Sequence, residues 1–451
     1  MLDFIQNLNN LLWSFPLLFL LLSTHVFFTF RSRGVQKYIF RAIKLSITPE
    51  AEKDMTDSNH KNSHNTKSSS HSSKGLSGFA ALSTTLAATL GTGNIIGVST
   101  SIMLGGPGAV FWCWLTGILG MSTTYAECFL SASYRQHDTK YGFYGGPMYV
   151  MQYGLKKKGL AVFYACCTLC ASFGVGCSTQ ANAITETCYN LWHISPYVSG
   201  IITAVVVGII LVGGIHSIGT ICQKLVPAMG IFYLMGCMIL LVMNGSFVIP
   251  ALNSIIKQAF LPSSITGGII GSTIQTAARY GISRGLFTNE AGLGSAGIAS
   301  AASHVKKPRN QALISMTATF WDTVVMCFIT GLVIVSHLEK YKNTISLTNI
   351  SQTGLTSLAF SSIPYGEVIL GISLIAFAIS TLIGWSYFGE QAVYYLAKEK
   401  GIKCYQFIYV FMIFFGGILS LDLVWELSDC INAFMAFPNL IALFCLWREV
   451  E

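Results

Sequence analysis

Apolar segments long enough to cross a lipid bilayer recur along the whole chain, and this recurrence limits the possible folds more than any other feature. A helix of about 20 apolar residues matches the hydrocarbon thickness of a membrane. The segments run unbroken for much longer than the roughly 9–11 residues of an alternating barrel strand. The sequence therefore predicts an all-α polytopic membrane protein.

The number of apolar segments predicts about eleven transmembrane helices. The first segment runs from about Asn9 to Phe30. Ten more segments are centred near Thr89, Gly117, Cys170, Val205, Leu234, Ile282, Val324, Ile379, Met412 and Phe434.

The composition excludes a water-soluble globular protein. Of the 451 residues, 52% are hydrophobic and 10% are charged, whereas soluble domains carry roughly 25% charged residues. The 13 cysteines fall mostly inside the apolar segments, where a free thiol packs like a small hydrophobe. Cys167 and Cys170 have the spacing of a redox pair, but packing within a membrane helix is the favoured interpretation. No disulfide framework is predicted.

The distribution of Lys and Arg predicts how the chain is threaded through the membrane. Residues 1–30 are predicted to form an extra N-terminal transmembrane helix. The short stretch before its apolar run, which begins at about Asn9, has no Lys or Arg, and this argues against a cleaved signal peptide. With the N-terminus outside, 22 of the 27 basic residues fall inside, three fall outside and two lie within a membrane segment. This bias places the first loop and the C-terminus in the cytoplasm of a cell-membrane protein. The positive net charge is therefore explained by the membrane topology, and no nucleic-acid partner is indicated.

Residues 31–75 are predicted to be a cytoplasmic polar linker. No apolar residue lies between His60 and Lys74, and such a composition cannot bury a core. His60, His64 and His71 offer loose metal binding as an alternative, but solvation of a low-complexity segment is the favoured interpretation.

The apolar segment near Thr89 is predicted to be interrupted at its centre. It contains Leu90, Gly91, Thr92, Gly93 and Asn94 in succession, and each glycine costs about 1 kcal/mol relative to alanine inside a helix. Close helix packing through small residues is the alternative. The polar side chains in the middle of the bilayer favour an unwound segment.

A second interruption is predicted five segments later, from Ser283 to Gly292. It places Arg284 and Glu290 within an otherwise apolar segment. A charge at the centre of a membrane helix costs roughly 2.5–3.5 kcal/mol, so both side chains are expected to face protein or water and to pair. A purely structural ion pair is the alternative to a functional site.

The two interruptions predict an internal repeat, because each falls in the first helix of a five-helix unit. Five is odd, so the second unit enters the membrane with the opposite polarity. Residues 76–248 form the first unit, residues 249–447 the second, and residues 448–451 a short cytoplasmic tail. This is the pattern of a secondary transporter with a binding site at the midplane. Unwound helix ends expose N–H groups and carbonyls, which suit the carboxylate of an amino acid beside a sodium ion.

Eight strings, in the same order and at plausible spacing, resemble the alanine or glycine:cation symporter family. The resemblance runs from about Gly75 to the C-terminus, and it departs from the family in the long Ser/His/Asn-rich first loop and the short C-terminal tail. These departures leave regulation or partner contacts through the tails in doubt. The strings are GTGNIIGV at 91–98, GGPGAVFW at 105–112, GGPMY at 145–149, QAN at 180–182, RGLFTNEAGLGSA at 284–296, WDT at 321–323, GWSYFGE at 384–390 and PNLIAL at 438–443.

The resemblance implies a LeuT-type fold, in which an extra N-terminal helix precedes two inverted five-helix repeats with discontinuous first helices. It also implies sodium-driven uptake of small neutral amino acids, above all alanine and glycine. Such a protein is a transporter rather than an enzyme, and sodium is its co-transported ion rather than a cofactor. Its partners are the amino acid, sodium and the lipid bilayer.

The resemblance also implies which residues contact the substrate. Backbone N–H groups of the first interruption and the Asn94 amide would meet the carboxylate, and the Gln180 carbonyl oxygen would meet the ammonium group. Thr381 and Trp385, one turn apart on one helix face, would contact the ligand and cap a small side-chain pocket. The full set of implied substrate residues is Thr92, Gly93, Asn94, Gln180, Phe287, Thr381 and Trp385.

For sodium, the resemblance implies the carbonyls of Ala87 and Leu90 and the hydroxyls of Ser380 and Thr381. Oxygen donors are chemically right for an alkali cation. The alternative is that the two hydroxyls only bond back to their own helix, as Ser and Thr in membrane helices do.

Three more acids are predicted inside the membrane, namely Glu127, Asp322 and Glu390. Each offers a proton or sodium carboxylate or a structural partner. A structural role is favoured for Glu127 and Glu390, which lie near the cytoplasmic ends of their helices, and the role of Asp322 stays open.

Three alternatives to a sodium-coupled symporter remain. The first is a transporter of the same plan for another small solute or coupled to protons. The second is an ion channel, although the sequence has no repeated filter-like loop or charged ring. The third is a membrane enzyme, although the acids lie on different helices without the spacing of a metal site or a nucleophile and its base.

Overall fold

The computed structural model describes residues 15–48, 75–139, 142–260, 274–342, 354–419 and 421–450, together with Leu8, Leu12 and Trp13. These parts of the chain are mostly helical. Among the described residues, four helices are long and apolar enough to cross a membrane by length and composition. They are Lys158–Trp192, Gly214–Met243, Pro308–Lys340 and Gly366–Ala397. Shorter apolar helices span Leu17–Arg31, Ile96–Gly105, Pro196–Val212 and Cys430–Cys445.

The described residues of the first half of the chain form ten helices of at least nine residues and a short helix at Pro147–Tyr149. A 3-10 turn at Val35–Tyr38 joins α1 to α2. A π-helical segment, Gly174–Ser178, joins α6 and α7 into one long helix. The helices are α1 Phe15–Arg31, α2 Ile39–Ile47, α3 Gly78–Thr89, α4 Ile96–Gly105, α5 Gly108–Ser133, α6 Lys158–Phe173, α7 Thr179–Trp192, α8 Pro196–Val212, α9 Gly214–Met243 and α10 Gly245–Phe260.

The second half of the chain forms eight more. A second π-helical segment, Phe320–Cys327, joins α13 and α14, and a 3-10 turn at Trp447–Glu449 ends the described chain. These helices are α11 Ile274–Asn289, α12 Ser295–Ala301, α13 Pro308–Thr319, α14 Phe328–Lys340, α15 Leu355–Phe360, α16 Gly366–Ala397, α17 Glu399–Gly416 and α18 Leu421–Cys445.

The structure departs from the predicted all-α fold between α5 and α6. Strands β1 (Gln136–Asp138) and β2 (Gly142–Tyr144) form a short antiparallel hairpin there, with His137 opposite Phe143. The Arg135 guanidinium lies over the Phe143 ring, 4.4 Å from its centroid, which fixes the start of the hairpin.

The predicted polar linker is helical at its beginning. Residues Val35–Tyr38 and Ile39–Ile47 are ordered helices that pack on α5 and α13. The reason lies in the buried side chains of Val35, Ala42 and Ser46, which give this stretch a core-facing side. His60, His64 and His71 lie outside the described residues.

Two helices organise the packing of the others. Helix α5 packs against α1, α11, α12 and α13, and α16 packs against α3, α6, α7 and α9. All thirteen cysteines are free thiols, and Cys166 and Cys170 are exposed on the outer surface. The site described next lies between these two groups of helices.

The outer surface of the bundle is apolar, as a lipid environment requires. Helix α8 exposes a row of branched side chains, with Ile209 71% and Val212 85% exposed. Many polar side chains, such as those of Thr92, Asn94 and Asp322, are buried in the interior instead.

The centre of each predicted apolar segment lies in a helix or a π-helical segment, whereas α10 lies between the segments predicted near Leu234 and Ile282. The count of eleven spans and the inverted layout stay predictions.

Candidate functional site

The first interruption lies between α3 and α4, where the sequence predicted it. The chain leaves helical geometry at Leu90 and Gly91 before the 3-10 turn Thr92–Asn94. The Gly91 N–H donates to Asn94 Oδ1 at 3.0 Å. In a continuous helix this N–H would instead pair with the carbonyl of Ala87, four residues back. The interruption therefore frees backbone carbonyls in the buried interior.

Three oxygen atoms meet at this interruption. The Leu90 carbonyl lies 3.3 Å from Ser380 Oγ and 3.3 Å from Thr381 Oγ1 on α16. The same hydroxyls lie 2.8 and 3.1 Å from the Phe377 carbonyl of their own helix. Each hydroxyl has a single proton and donates to one carbonyl at a time, so its lone pairs are available on the other side. Oxygen-only clusters of this kind suit hard cations.

Three of the four predicted sodium ligands are thus brought together, and the fourth lies one turn away. Ala87 is fully buried in the last turn of α3. The contact between α3 and α16 is close here, since a Cβ on Gly384 would lie 2.6 Å from the Ala88 nitrogen. The predicted back-bonding of the hydroxyls to their own helix is also present, so the two interpretations coexist in one geometry.

Gly91 leaves room for polar side chains beside the interruption. A Cβ at this position would lie 2.7 Å from Thr381 Oγ1 and 3.4 Å from Gln180 Oε1. Gln180 Nε2 donates at 3.2 Å to the carbonyl of Val175, which lies in the π-helical segment. Gln180 Oε1 is buried and has no hydrogen-bond partner in the described chain. The sequence predicted Gly91 only as part of a helix interruption. The structure shows that its lack of a side chain also leaves room for Thr381 and Gln180.

Two unpaired polar atoms mark where a ligand would be held. Gln180 Oε1 is an acceptor, and Thr92 Oγ1 is likewise buried without a partner among the described residues. Buried polar atoms are nearly always hydrogen-bonded. An acceptor suits an ammonium group, and a hydroxyl can donate to a carboxylate.

The Asn94 amide, predicted to meet the substrate carboxylate, is used within the protein. Its Nδ2 donates to Asp322 Oδ1 at 2.7 Å and lies 3.3 Å from Cys327 Sγ. Thr323 Oγ1 donates to the other oxygen of the same carboxylate at 2.6 Å. All of these groups are buried. Asp322, whose role the sequence left open, is therefore a neighbour of the first interruption.

The second interruption lies later in the chain than predicted. Helix α11 continues through Arg284 and ends at Asn289, and the chain unwinds from Glu290 to Gly294 before α12. Glu290, Gly292 and Gly294 have positive φ values of 54°, 100° and 84°. Two of these three positions are glycines, which adopt this conformation without strain.

Arg284 and Glu290 do not form the expected pair. The Glu290 carboxylate accepts hydrogen bonds from the Trp385 indole at 3.0 Å and from the Ser295 hydroxyl. The Arg284 guanidinium lies over the Phe287 ring at 5.8 Å from its centroid. Glu290 lies beyond the end of α11, where the backbone has left helical geometry, so its side chain does not follow the helix face that carries Arg284.

The acids with favoured structural roles have structural partners. Glu127 Oε1 accepts from the Gly292 N–H at 2.9 Å and from Asn439 Nδ2 at 2.6 Å. Glu390 Oε2 accepts from Gln406 Nε2 at 3.0 Å. Glu127 thus holds the second interruption in place.

The two interruptions face each other across the site. A Cβ on Gly93 would lie 2.5 Å from Thr288 Cγ2 and 3.6 Å from the Phe287 ring. Phe287 lies in the last turn of α11 rather than in the unwound segment. Gly93 and Phe287, both among the implied substrate residues, therefore lie on opposite sides of the site, with Thr288 as the closer neighbour of Gly93.

Trp385 closes the site on the side of the long helix α6 to α7. It is fully buried, and its side chain packs against Gly176 in the π-helical segment. Its hydrogen bond to Glu290 connects α16 to the second interruption. Gly176 and Glu290 were not among the predicted site residues. The sequence signal for Glu290 was its charge within an apolar segment, whereas no signal was recognised for Gly176.

The described geometry defines a class of protein. Two interrupted helices meet at a buried polar site, and solved structures of two transporters share this fold. A mutant of the Eremococcus coleocola manganese transporter aligns with a TM-score of 0.50 and 13% identity, covering 85% of this chain and 80% of that chain. A Na⁺-coupled sialic acid symporter in a substrate-bound outward-open state aligns with a TM-score of 0.52 and 12% identity, covering 90% and 82%.

Sequence comparison narrows this class. The sodium:alanine symporter family model matches residues 1–451, and the chain belongs to that family. The chain is 40% identical to the sodium/alanine symporter AgcS of Methanococcus maripaludis over 98% of this chain and 94% of the relative. It is 32% identical to the probable sodium/glutamine symporter GlnT of Bacillus subtilis over 98% and 87%. It is a multi-pass membrane transporter and not an enzyme.

Proposed function

We propose that the protein imports small neutral amino acids, alanine and glycine above all, together with sodium. The single observation that carries this proposal is the arrangement around Gly91. The oxygen cluster of Leu90, Ser380 and Thr381 lies on one side of it, and the unpaired Gln180 Oε1 lies on the other. A cation and an ammonium group can therefore be held side by side.

Sodium is bound by the carbonyls of Ala87 and Leu90 and the hydroxyls of Ser380 and Thr381. The ammonium group of the substrate meets Gln180, while N–H groups of Thr92 and Gly93 and the Thr92 hydroxyl meet its carboxylate. For the Asn94 amide to join them, it must exchange its hydrogen bond to Asp322.

The substrate side chain lies against Phe287 and Trp385. The site walls touch one another closely, since Gly93 contacts Thr288 and Gly176 contacts Trp385. This leaves space for a hydrogen or a methyl group. A side chain as long as that of glutamine would require a larger space.

Coupling to sodium supplies the energy for accumulation. A neutral amino acid gains nothing from the membrane potential, whereas one sodium ion gains about 2.3 kcal/mol from 100 mV. A tenfold gradient adds about 1.4 kcal/mol, and together these permit accumulation of roughly 500-fold. Sodium and substrate stabilise an occluded state, and one helix bundle then rocks against the rest between two inverted five-helix units. The N-terminus lies outside, and the first loop and C-terminus lie in the cytoplasm.

The test is uptake of labelled alanine into proteoliposomes with an inward sodium gradient, compared with potassium. Gln180→Ala is expected to abolish the sodium-dependent uptake. Gln311→Ala is the matched control, because Gln311 is also fully buried with an unpaired Oε1 but lies on α13 beside the start of α3. Uptake driven equally well by a proton gradient without sodium, or competition by glutamine stronger than by glycine, would contradict the proposal.

A further inference from the structure

A basic cavity lies at the end of α1, away from the transport site. Its volume is about 350 Å³, and it opens where the turn after α1 meets the beginning of α13. Nine residues line it, four of them are basic and none is acidic. We call it the cationic cavity, and its basic residues are Arg31, Arg33, Lys37 and Arg309.

Arg31 is held rigidly at one wall of the cationic cavity. Its guanidinium lies 5.4 Å from the centroid of the Trp447 ring, and its Nη2 donates to the Arg448 carbonyl at 3.2 Å. Its Nε is buried and has no hydrogen-bond partner in the described chain. The turn Trp447–Glu449 thus orients the Arg31 guanidinium, whose Nε–H remains available as a hydrogen-bond donor.

The position of Arg309 requires a separate explanation. Arg31 and Arg33 lie at the C-terminal end of α1, where the helix dipole favours a positive charge. Arg309 lies in the first turn of α13, where the same dipole disfavours one. Its convergence with three other basic residues adds repulsion. A bound anion removes both costs, because it lies at a helix N-terminus and between the positive charges.

The helix beside the cavity has the character of an interfacial helix. Phe40 is 83% exposed and Ile47 is 72% exposed on one face of α2, while Ala42 and Ser46 on another face are buried. Such a helix lies in the plane of the membrane interface with its apolar face toward the acyl chains. The cationic cavity therefore lies at the level of the lipid headgroups.

We propose that the cationic cavity binds the phosphate group of an anionic phospholipid in the cytoplasmic leaflet. Arg31, Arg33, Lys37 and Arg309 surround the phosphate. Guanidinium groups bind phosphate oxygens in pairs of hydrogen bonds, which makes arginine the suited residue. Basic pockets between membrane helices are the sites at which such headgroups bind. The site is independent of sodium and substrate.

Lipid binding to the purified full-length protein tests this proposal directly. Phosphatidylglycerol is titrated in detergent, with native mass spectrometry and thermal unfolding as readouts, and phosphatidylcholine is the uncharged-headgroup comparison. The double variant Arg33→Gln with Arg309→Gln is expected to bind phosphatidylglycerol roughly 30-fold more weakly, which corresponds to about 1 kcal/mol for each cation removed. The matched control, Arg41→Gln with Lys44→Gln, removes the same charge from α2 outside the cavity.

The outcomes separate lipid binding from general electrostatics. Retained binding in the control and loss in the cavity variant support the proposal, and Arg33→Lys with Arg309→Lys is expected to restore most of the affinity. Equal loss in both variants, equal affinity for phosphatidylcholine, or full occupation by millimolar inorganic phosphate in competition with phosphatidylglycerol would overturn it. A cavity variant that elutes as a folded monodisperse protein and still binds phosphatidylglycerol with unchanged affinity would also overturn it.

Discussion

The indole N–H of Trp385 donates to the Glu290 carboxylate at 3.0 Å, and this bond connects α16 to the second helix interruption. Ser295, which begins α12, donates to the other oxygen of the same carboxylate. One acid therefore joins the long helix that carries the oxygen cluster to the unwound segment opposite it.

Trp385→Phe is expected to lower thermal stability and to slow uptake. It keeps an aromatic ring against Gly176 but leaves one oxygen of Glu290 without a donor, a loss that costs about 1–3 kcal/mol. A double-mutant cycle with Glu290→Leu, which removes the acceptor, measures the coupling by thermal unfolding in detergent. Additive effects would show that the hydrogen bond contributes nothing. Trp321→Phe is the control, since Trp321 is 36% exposed.

Ser380→Ala is expected to weaken sodium binding. It removes one of the three oxygens at Leu90, and we expect the sodium concentration for half-maximal uptake to rise roughly tenfold, or about 1.4 kcal/mol. Stabilisation of the protein by sodium should fall in parallel. Ser373→Ala is the matched control on the same helix, because its buried hydroxyl only bonds back to the Ile369 carbonyl at 2.8 Å. Equal sodium dependence in the two variants would place the ion elsewhere.

Gly91→Ala is expected to impair substrate and sodium binding together. The added methyl would lie 2.7 Å from Thr381 Oγ1, and overpacking of this kind costs about 1–3 kcal/mol. The apparent alanine affinity should fall roughly tenfold to hundredfold. Gly230→Ala on α9 is the control, because its Cβ would meet no atom within 4 Å. Alanine binding measured by calorimetry checks this, and an unchanged affinity would contradict the proposed site.

Glu127→Leu is expected to destabilise the second interruption strongly. It leaves the Gly292 N–H and one of the two N–H groups of Asn439 Nδ2 without an acceptor, while the other keeps its bond to the Gly292 carbonyl. Each unmade buried hydrogen bond costs about 1–3 kcal/mol. Glu127→Gln keeps an acceptor oxygen and should lose less. The thermal midpoint in detergent is the measurement, with Glu186→Leu on the exposed face of α7 for comparison. A midpoint unchanged in Glu127→Leu would rule out a structural role.

The first interruption could be predicted from sequence because its two glycines coincide with a real change of backbone. Gly91 and Gly93 both lie where the chain leaves and re-enters helical geometry. The second was predicted to begin at Ser283, because Arg284 and Glu290 place charges in an apolar segment, and this start is too early. The structure shows that Gly285 stays helical and lets α11 approach Thr116 on α5 closely. One sequence cannot distinguish a glycine that breaks a helix from one that permits contact.

Side-chain pairing was the least predictable part of the site. Asn94 was assigned to a ligand, yet its amide donates to Asp322, which is 228 positions away in sequence. Residue types showed that both groups are polar and lie within membrane segments. Which of them meet depends on the rotation of the helices, and the apolar pattern of a buried helix is nearly uniform around its axis.

The two π-helical segments, Gly174–Ser178 and Phe320–Cys327, set the rotation of the helices that carry Gln180 and Asp322. A π turn holds one residue more than a regular turn, and one residue corresponds to about 100° of rotation in an α-helix. Deleting a single residue from Gly174–Ser178 would turn Gln180 away from Gly91 without altering its identity. The specificity of this site is therefore encoded in chain length as well as in residue type, so insertions and deletions within these helices change function more than many substitutions do.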